Sequence, residues 1–371
     1  MENYSTTVVG LDVHKESIVT GVLPPGMDRT TENTRIENNP AAIEKMVRRL
    51  SARGPIEFVY EAGPCGYEVH RLITKMGHKC AVIAPALTPV RPGDRVKTDR
   101  RDADKLARFR RAGELTEIRV PTREEESARD LVRVREDVLS DRLRARHRLS
   151  KFLLRQGRVF NDRKSWGVAH WQWVKAQRFD WQPLQQSFES YIRTVEEANA
   201  RLAVLDQQLQ DLAQTPMYRE PVRYLRCLKG IDTLSAMTLI VEAQEFRRFG
   251  KARSFMDYTG AVPSEYTSDK KVSRGSITKT GNAHIRRILV ESAWTYRGRN
   301  MPSTTVMKRR EGCPPEIVQI AQKAQDRLHR KFSRMVGRGK LPQVAVVAVA
   351  RELAGFVWSI AQRFPTTVVA N

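Results

Sequence analysis

Four carboxylates stand where a folding chain places charge only for a reason. Asp12 interrupts an apolar, β-rich run, Val8-Val9-Gly10-Leu11-Asp12-Val13. Charge inside such a run is costly unless something pairs with it. Glu61 closes a second run, Phe58-Val59-Tyr60. Asp99 and Asp102 lie three residues apart in Lys97-Thr98-Asp99-Arg100-Arg101-Asp102-Ala103-Asp104. That spacing puts both on one face of a helix and turns Asp104 elsewhere. Converging carboxylates repel, and a divalent cation relieves the repulsion. Two such ions about 4 Å apart can activate an attacking oxygen and stabilise a leaving one on phosphorus. The expected chemistry is phosphoryl transfer at a Mg²⁺ centre (Mn²⁺ is the alternative) held by Asp12, Glu61, Asp99 and Asp102. Taken singly, each has a plainer reading: a strand-edge or turn aspartate, or a helix cap at Asp99. Lys97, Arg100 and Arg101, followed by Lys105, Arg108, Arg110 and Arg111, suit a phosphate backbone.

The elements around these residues predict an RNase H-like α/β domain. Val8 to Val13 and Ser17 to Leu23 read as a hairpin, with His14 in its turn, and Thr31 to Glu37 as a third strand. Asn39-Pro40 starts a helix that ends before Gly54-Pro55. Ile56 to Tyr60 is a strand, Gly66 to Met76 a helix capped by Gly77, and Lys79 to Ile83 a strand. The order is an antiparallel meander extended by two parallel strands. Its first and fourth strands are neighbours, so Asp12 and Glu61 should face one point.

From Thr122 the pattern turns helical. Thr122 with Glu125 forms a capping box, and a long basic helix should run to about Gln156. The catalytic domain is expected over 5–157, a connector and coiled coil over 158–215, and a mostly helical domain over 218–371. Phe188, Tyr191, Val195, Ala198, Leu202, Leu205, Leu209 and Leu212 form a heptad stripe. It reads as an intermolecular coiled coil or as a helix packed within its own chain. Leu225 to Glu242 reads as helix, turn, helix, and Ala261 to Lys279 as a loop or hairpin. The apolar segment Val344 to Ala350 is too short for a bilayer and reads as buried helix.

The chain of 371 residues carries 65 Lys and Arg against 42 Asp and Glu, a formal net charge of +23. Such an excess favours a polyanionic partner, because cations that meet phosphates release condensed counterions. Cys65, Cys80, Cys227 and Cys313 form no C-x-x-C pair, so neither a zinc site nor a disulfide framework is expected. A cytoplasmic protein without signal peptide or membrane span is expected. Trp166, Trp171, Trp173 and Trp181 fit ordinary packing or stacking on RNA bases.

Three segments, Gly10-Leu11-Asp12-Val13-His14-Lys15, Tyr60-Glu61-Ala62-Gly63 and Lys97 to Ala103, resemble the motifs of the DEDD transposases of the one-ten family of insertion sequences. Leu228-Lys229-Gly230-Ile231, Tyr258 to Pro263 and Thr278 to Asn282 resemble its later motifs. Asp232 and Asp269 stand where the family has glycine. The resemblance implies a RuvC-like domain, a coiled coil and a C-terminal transposase domain. It assigns the DEDD set to Asp12, Glu61, Asp99 and Asp102, and a nucleophilic serine to Ser268, which would link covalently to DNA. Ser264, Ser273 and Ser276 lie close by. Lys270, Lys271, Arg274 and Lys279 around the serine suit phosphate. The resemblance further implies double-stranded donor and target DNA, a structured non-coding guide RNA (the bridge RNA), and a homo-oligomer, dimer to tetramer, in which one protomer's serine works with another's carboxylates. Two other functions fit parts of the pattern: a hydrolytic RuvC-like junction endonuclease, and a basic nucleic-acid scaffold, which leaves the strand carboxylates unexplained.

Overall fold

The computed structural model describes residues 5–89, 98–161, 165–268 and 271–365, with the backbone alone at 266–268 and 271–274. The chain divides into two compact units, Met1–Pro121 and Thr122–Asn371.

The first unit is a five-stranded mixed sheet. Strands β1 (Thr7–Val13), β2 (Ser17–Leu23) and β3 (Glu32–Glu37) form the antiparallel meander. Helix α1 (Pro40–Ser51) leads to β4 (Ile56–Glu61), and α2 (Glu68–Lys75) leads to β5 (Lys79–Ile83). The strand order is β3-β2-β1-β4-β5, with β4 parallel to both β1 and β5. Local chemistry explains the boundaries. Asn39 accepts a hydrogen bond from the Ala42 amide at 2.8 Å, with Pro40 in the first turn of α1. Gly77, past the end of α2, has φ +87°, a conformation that costs glycine little.

The two faces of the sheet are covered differently. Val9, Leu11, Phe58 and Tyr60 pack against Met46 and Val47 of α1 and Ile73 of α2. Val8, Val59, Ala81 and Ile83 meet Leu106 and Ala107 of α3 (Asp99–Ala112) on the other face. There Gly10 and Gly21 are cross-strand partners. A Cβ at Gly10 would lie 2.0 Å from the Ala103 carbonyl oxygen. One at Gly21 would lie 2.8 Å from Asp104 Oδ1. The paired glycines therefore let the backbone of α3 rest directly on the sheet.

Among the described residues, the second unit is helical apart from one hairpin. Its elements are α4 (Arg123–Arg155), α5 (Val168–Ala176), α6 (Gln182–Leu212), α7 (Arg219–Leu225), α8 (Thr233–Ala243), α9 (Ala252–Tyr258), β6 (Pro263–Ser268), β7 (Lys271–Ile277), α10 (Ala283–Ala293), α11 (Thr304–Arg310), α12 (Pro315–Gly337) and α13 (Pro342–Ala361). The capping box is present: the Thr122 hydroxyl accepts from the Glu125 amide, and the Glu125 carboxylate accepts from the Thr122 amide.

Helix α4 groups by packing with the second unit, Thr122–Asn371. It lies antiparallel to α6. Leu149 and Phe152 near its end meet Phe188 and Val195, while Ala128 and Val132 near its start share a core with Leu209. The same contacts cover much of the heptad stripe within the chain, which is the intramolecular alternative. Finally, α13 is 20 residues long, and by length and composition it could cross a membrane. Its Val346, Val349, Leu353, Val357 and Ile360 are instead core residues of the second unit.

Candidate catalytic site

Strand register brings the first two carboxylates together. Leu11 and Tyr60 are partners in the parallel β1–β4 ladder, so the next step sets Asp12 beside Glu61. Leu11 and Tyr60 point into the α1–α2 core. Asp12 and Glu61, one residue on, share the opposite face, where α3 lies. Thr98 caps α3, its hydroxyl accepting from the Arg101 amide at 3.4 Å, so the cap is not Asp99. Asp99 and Asp102 fall in the first turn of α3. Asp12, Asp99 and His14 each offer a ligand atom, all within 4.8 Å of one another. Glu61 accepts a hydrogen bond from the Thr88 hydroxyl at 2.9 Å. Asp104 turns away and accepts from Thr30 at 2.6 Å and Asn33 at 2.7 Å, tying α3 to the meander.

Electrostatics mark Asp12 as the strained member. Burial pushes its carboxyl above the ordinary range, and the neighbouring charges of Asp102 and Asp99 push it further. His14 opposes them, its Nε2 lying 3.1 Å from Asp12 Oδ2. The imidazole also approaches Asp99 Oδ1 at 3.6 Å. His14 was expected to serve only the turn. Its carbonyl does accept from Asn38, but residues two apart in an extended chain share a face, so its ring returns to Asp12. An oxygen-rich donor set around a carboxyl destabilised in this way fits a hard divalent cation.

The basic residues near the site divide. Lys97 lies outside the described residues. Arg100 and Arg101 are exposed on α3. Arg110 is engaged with Glu57 and Glu117, and Arg111 donates to the carbonyls of Thr6, Leu23, Pro24 and Met27. Those two therefore hold the fold rather than face a phosphate.

The segment singled out for Ser268 is the β6–β7 hairpin, in which Ser268 pairs with Lys271. Arg274 lies on β7, Lys270 falls outside the described residues, and Lys279 is exposed with φ +56°. The base of the hairpin is clamped. A Cβ at Gly281 would lie 2.2 Å from the Tyr258 carbonyl oxygen. Arg286 donates to the carbonyls of Thr259 and Lys279 at 2.9 and 3.3 Å. Asn282 caps α10 and donates to Glu242 at 2.8 Å.

Glu242 is 1% exposed at its side chain and takes two further hydrogen bonds from Arg133, at 2.7 and 3.0 Å. Burial alone would raise its carboxyl, but Arg133 and Asn282 outweigh that and hold it low. Beside it, Glu136 bonds both His284 and Arg287. Sequence reading missed this network. The one signal was an acidic residue in the apolar helix Thr233–Ala243.

Of Lys229-Gly230-Ile231-Asp232, only Ile231 belongs to the packed core; Asp232 is exposed. Leu228 and Ile231 are buried, and Lys229 donates to the Arg299 carbonyl at 2.8 Å. Asp232 is the N-cap of α8, accepting from the Ser235 amide at 2.8 Å, which explains an acidic residue there.

A mixed sheet with carboxylates at the ends of two central parallel strands and on a facing helix defines the RNase H-like nucleic-acid-processing class. Comparison with known proteins carries this to a family. Residues 9–156 match a DEDD transposase model, and residues 222–305 match the transposase IS116/IS110/IS902 family model. A putative transposase of Sinorhizobium fredii is 36% identical over 97% of this chain and 90% of its own length. The transposase for insertion sequence element IS1533 of Leptospira borgpetersenii is 34% identical over 90% of this chain and 97% of its own. The transposase for IS1328 of Yersinia enterocolitica is 23% identical over 79% of this chain. The chain belongs to the IS110/IS116 family of DEDD transposases, enzymes that cleave DNA and generally depend on divalent metal.

Proposed function

We propose that this transposase breaks and rejoins DNA strands through a serine-linked intermediate, using Asp12, Glu61, Asp99 and Asp102 to hold Mg²⁺ or Mn²⁺. The observation that supports this most is the β1–β4 register, which sets Asp12 beside Glu61 on the face that carries Asp99 and Asp102. A divalent ion bound there would stabilise charge on the phosphate oxygens and favour ionisation of an attacking hydroxyl. The chain supplies the rest. The oxygen of Ser268 attacks phosphorus as the bond to the departing strand end breaks, and that end leaves as a hydroxyl with the proton. A second strand's hydroxyl then attacks the phosphoserine, and Ser268 recovers its proton. One phosphodiester replaces another, so no external energy source is required. Lys271, Arg274 and Lys279, with Lys270, would neutralise the phosphate, as would Arg100, Arg101 and Lys97 at the carboxylates. The clamp at Gly281, Asn282 and Arg286 would fix the serine hairpin for attack.

The proposed donor and target are duplex DNA, selected by a structured RNA encoded with the element and acted on by a homo-oligomer. The net charge of +23 supports polyanionic partners. An aromatic cluster at one end of the α4–α6 pair supports contact with unpaired RNA. Trp181 is 77% exposed, the Arg146 guanidinium lies 4.9 Å from the Trp166 ring centroid, and Lys175 lies 5.5 Å from that of Trp171. Trp166, Trp171 and Trp173 are half-buried and packed, whereas Trp181 has a face for a base.

Ser268→Ala tests the mechanism. On a plasmid carrying the element's ends, the wild type should form protein–DNA adducts resistant to denaturant and should join strands. The variant should do neither. If Ser268→Ala still cleaves with metal and leaves free strand ends, the protein is a hydrolytic junction endonuclease and the serine reading is wrong.

A further inference from the structure

We infer that His14 is a nitrogen ligand of the metal centre, in a site otherwise built of carboxylates. The inference rests on the metal-centre reading above and extends it. Its basis is distance. Ligand atoms on neighbouring vertices of an octahedron with bonds of about 2.1 Å are about 3.0 Å apart, and on opposite vertices about 4.2 Å. His14 Nε2 lies 3.1 Å from Asp12 Oδ2 and 3.6 Å from Asp99 Oδ1. Three donor atoms from three chain positions already stand near the spacing that one ion requires.

The local fold holds the imidazole there. The His14 amide donates to the Ser17 carbonyl at 2.9 Å, and its own carbonyl accepts from Asn38 at 2.8 Å. The backbone of the turn is thus fixed on both sides, and the ring is directed at the carboxylates. It remains half-exposed, so an ion can reach it from solvent. An imidazole among oxygen donors has a chemical consequence. Mg²⁺ takes oxygen ligands, whereas first-row transition ions also accept imidazole nitrogen. His14 should therefore favour Mn²⁺ over Mg²⁺.

The test uses the full-length protein and Mn²⁺ as the probe, with and without a short DNA duplex. Pulsed electron paramagnetic resonance of bound Mn²⁺ reads coupling to a directly bound ¹⁴N nucleus. The wild type should show that coupling, His14→Ala should lose it, and His78→Ala, outside the site, should keep it. The Mn²⁺ affinity of His14→Ala should fall about 10-fold, with a smaller fall for Mg²⁺. Bound Mn²⁺ without nitrogen coupling in the wild type, or coupling that survives in His14→Ala, overturns the assignment of His14 and leaves the carboxylate centre standing. Failure of the wild type to bind Mn²⁺ in either condition overturns both.

Discussion

Gly10→Ala puts the positioning of the carboxylates to the test without touching one of them. The added methyl would sit 2.0 Å from the Ala103 carbonyl oxygen and 2.9 Å from the Ala107 amide nitrogen. Both obstacles are backbone atoms of α3, so no side chain can rotate aside. Relief to a tolerable contact of about 3 Å requires α3 to move off the sheet by about 1 Å, an overpacking that costs about 1–3 kcal/mol. Asp99 and Asp102 ride on α3, whereas Asp12 and Glu61 stay with the sheet. A misplacement of about 1 Å in a reacting constellation can cost about 100-fold in rate. Gly10→Ala should therefore stay folded, melt several degrees lower, and lose about 100-fold in DNA cleavage together with much of its Mn²⁺ affinity. The assays are thermal melting, metal titration, and cleavage of a plasmid carrying the element's ends. Gly337→Ala is the control, because a Cβ there meets nothing within 4 Å. Full cleavage and unchanged metal affinity in folded Gly10→Ala would refute the argument that close seating of α3 assembles the site.

Other outcomes follow from the electrostatics. Asp12→Asn should abolish cleavage yet raise the melting temperature of the metal-free protein near neutral pH. The folded state holds the Asp12 carboxyl above its ordinary value, so Asp12 favours folding at low pH and opposes it once ionised, as pH rises through the raised value. A melting temperature of the metal-free variant at or below that of the wild type at neutral pH would contradict this. His284 is also shifted upward, but by a favourable contact: its hydrogen bond to Glu136 raises its pKa. Its contribution to stability should be full below the ordinary histidine range and fade as pH climbs through the raised value. His284→Gln should flatten that dependence in denaturant melts. Arg133→Ala strips two hydrogen bonds from the buried Glu242 carboxylate and should cost about 3 kcal/mol in the same melts. Trp181→Ala should weaken binding of single-stranded oligo(U) about 5-fold or more by fluorescence anisotropy, with the salt dependence unchanged, since stacking is lost and no cation is.

Elements whose signals are local were legible in the sequence. Asn39-Pro40 fixed the start of α1, Gly77 the stop of α2, and Thr122 with Glu125 the start of α4. The strand order made β1 and β4 neighbours and so paired Asp12 with Glu61, and helical spacing separated Asp102 from Asp104. What escaped depends on partners remote in sequence. Arg111 lies in a basic run that suits phosphate, yet four backbone carbonyls of the meander capture it. Glu242 meets Arg133 and Asn282 only because α4, α8 and α10 pack together. His14 was misjudged for a different reason: its position two residues from Asp12 puts both on one side of an extended chain.

The family match and the packing also draw the chain differently. The DEDD model runs through α4 to residue 156, while the compact unit ends at Pro121. Helix α4 supplies Arg133 to the network of Glu242 and Asn282 at the start of α10. A sequence match and a packing unit record different constraints, and α4 is subject to both. The same contrast holds within the sheet. Asp12 stands in a strand whose other residues build a core, with its carboxyl pushed toward the neutral form by burial and by two neighbouring acids. Folding alone would favour an apolar residue there. The position makes physical sense when the charge is needed for something the fold does not supply, and the divalent cation proposed to be shared with Glu61, Asp99 and Asp102 would meet that need.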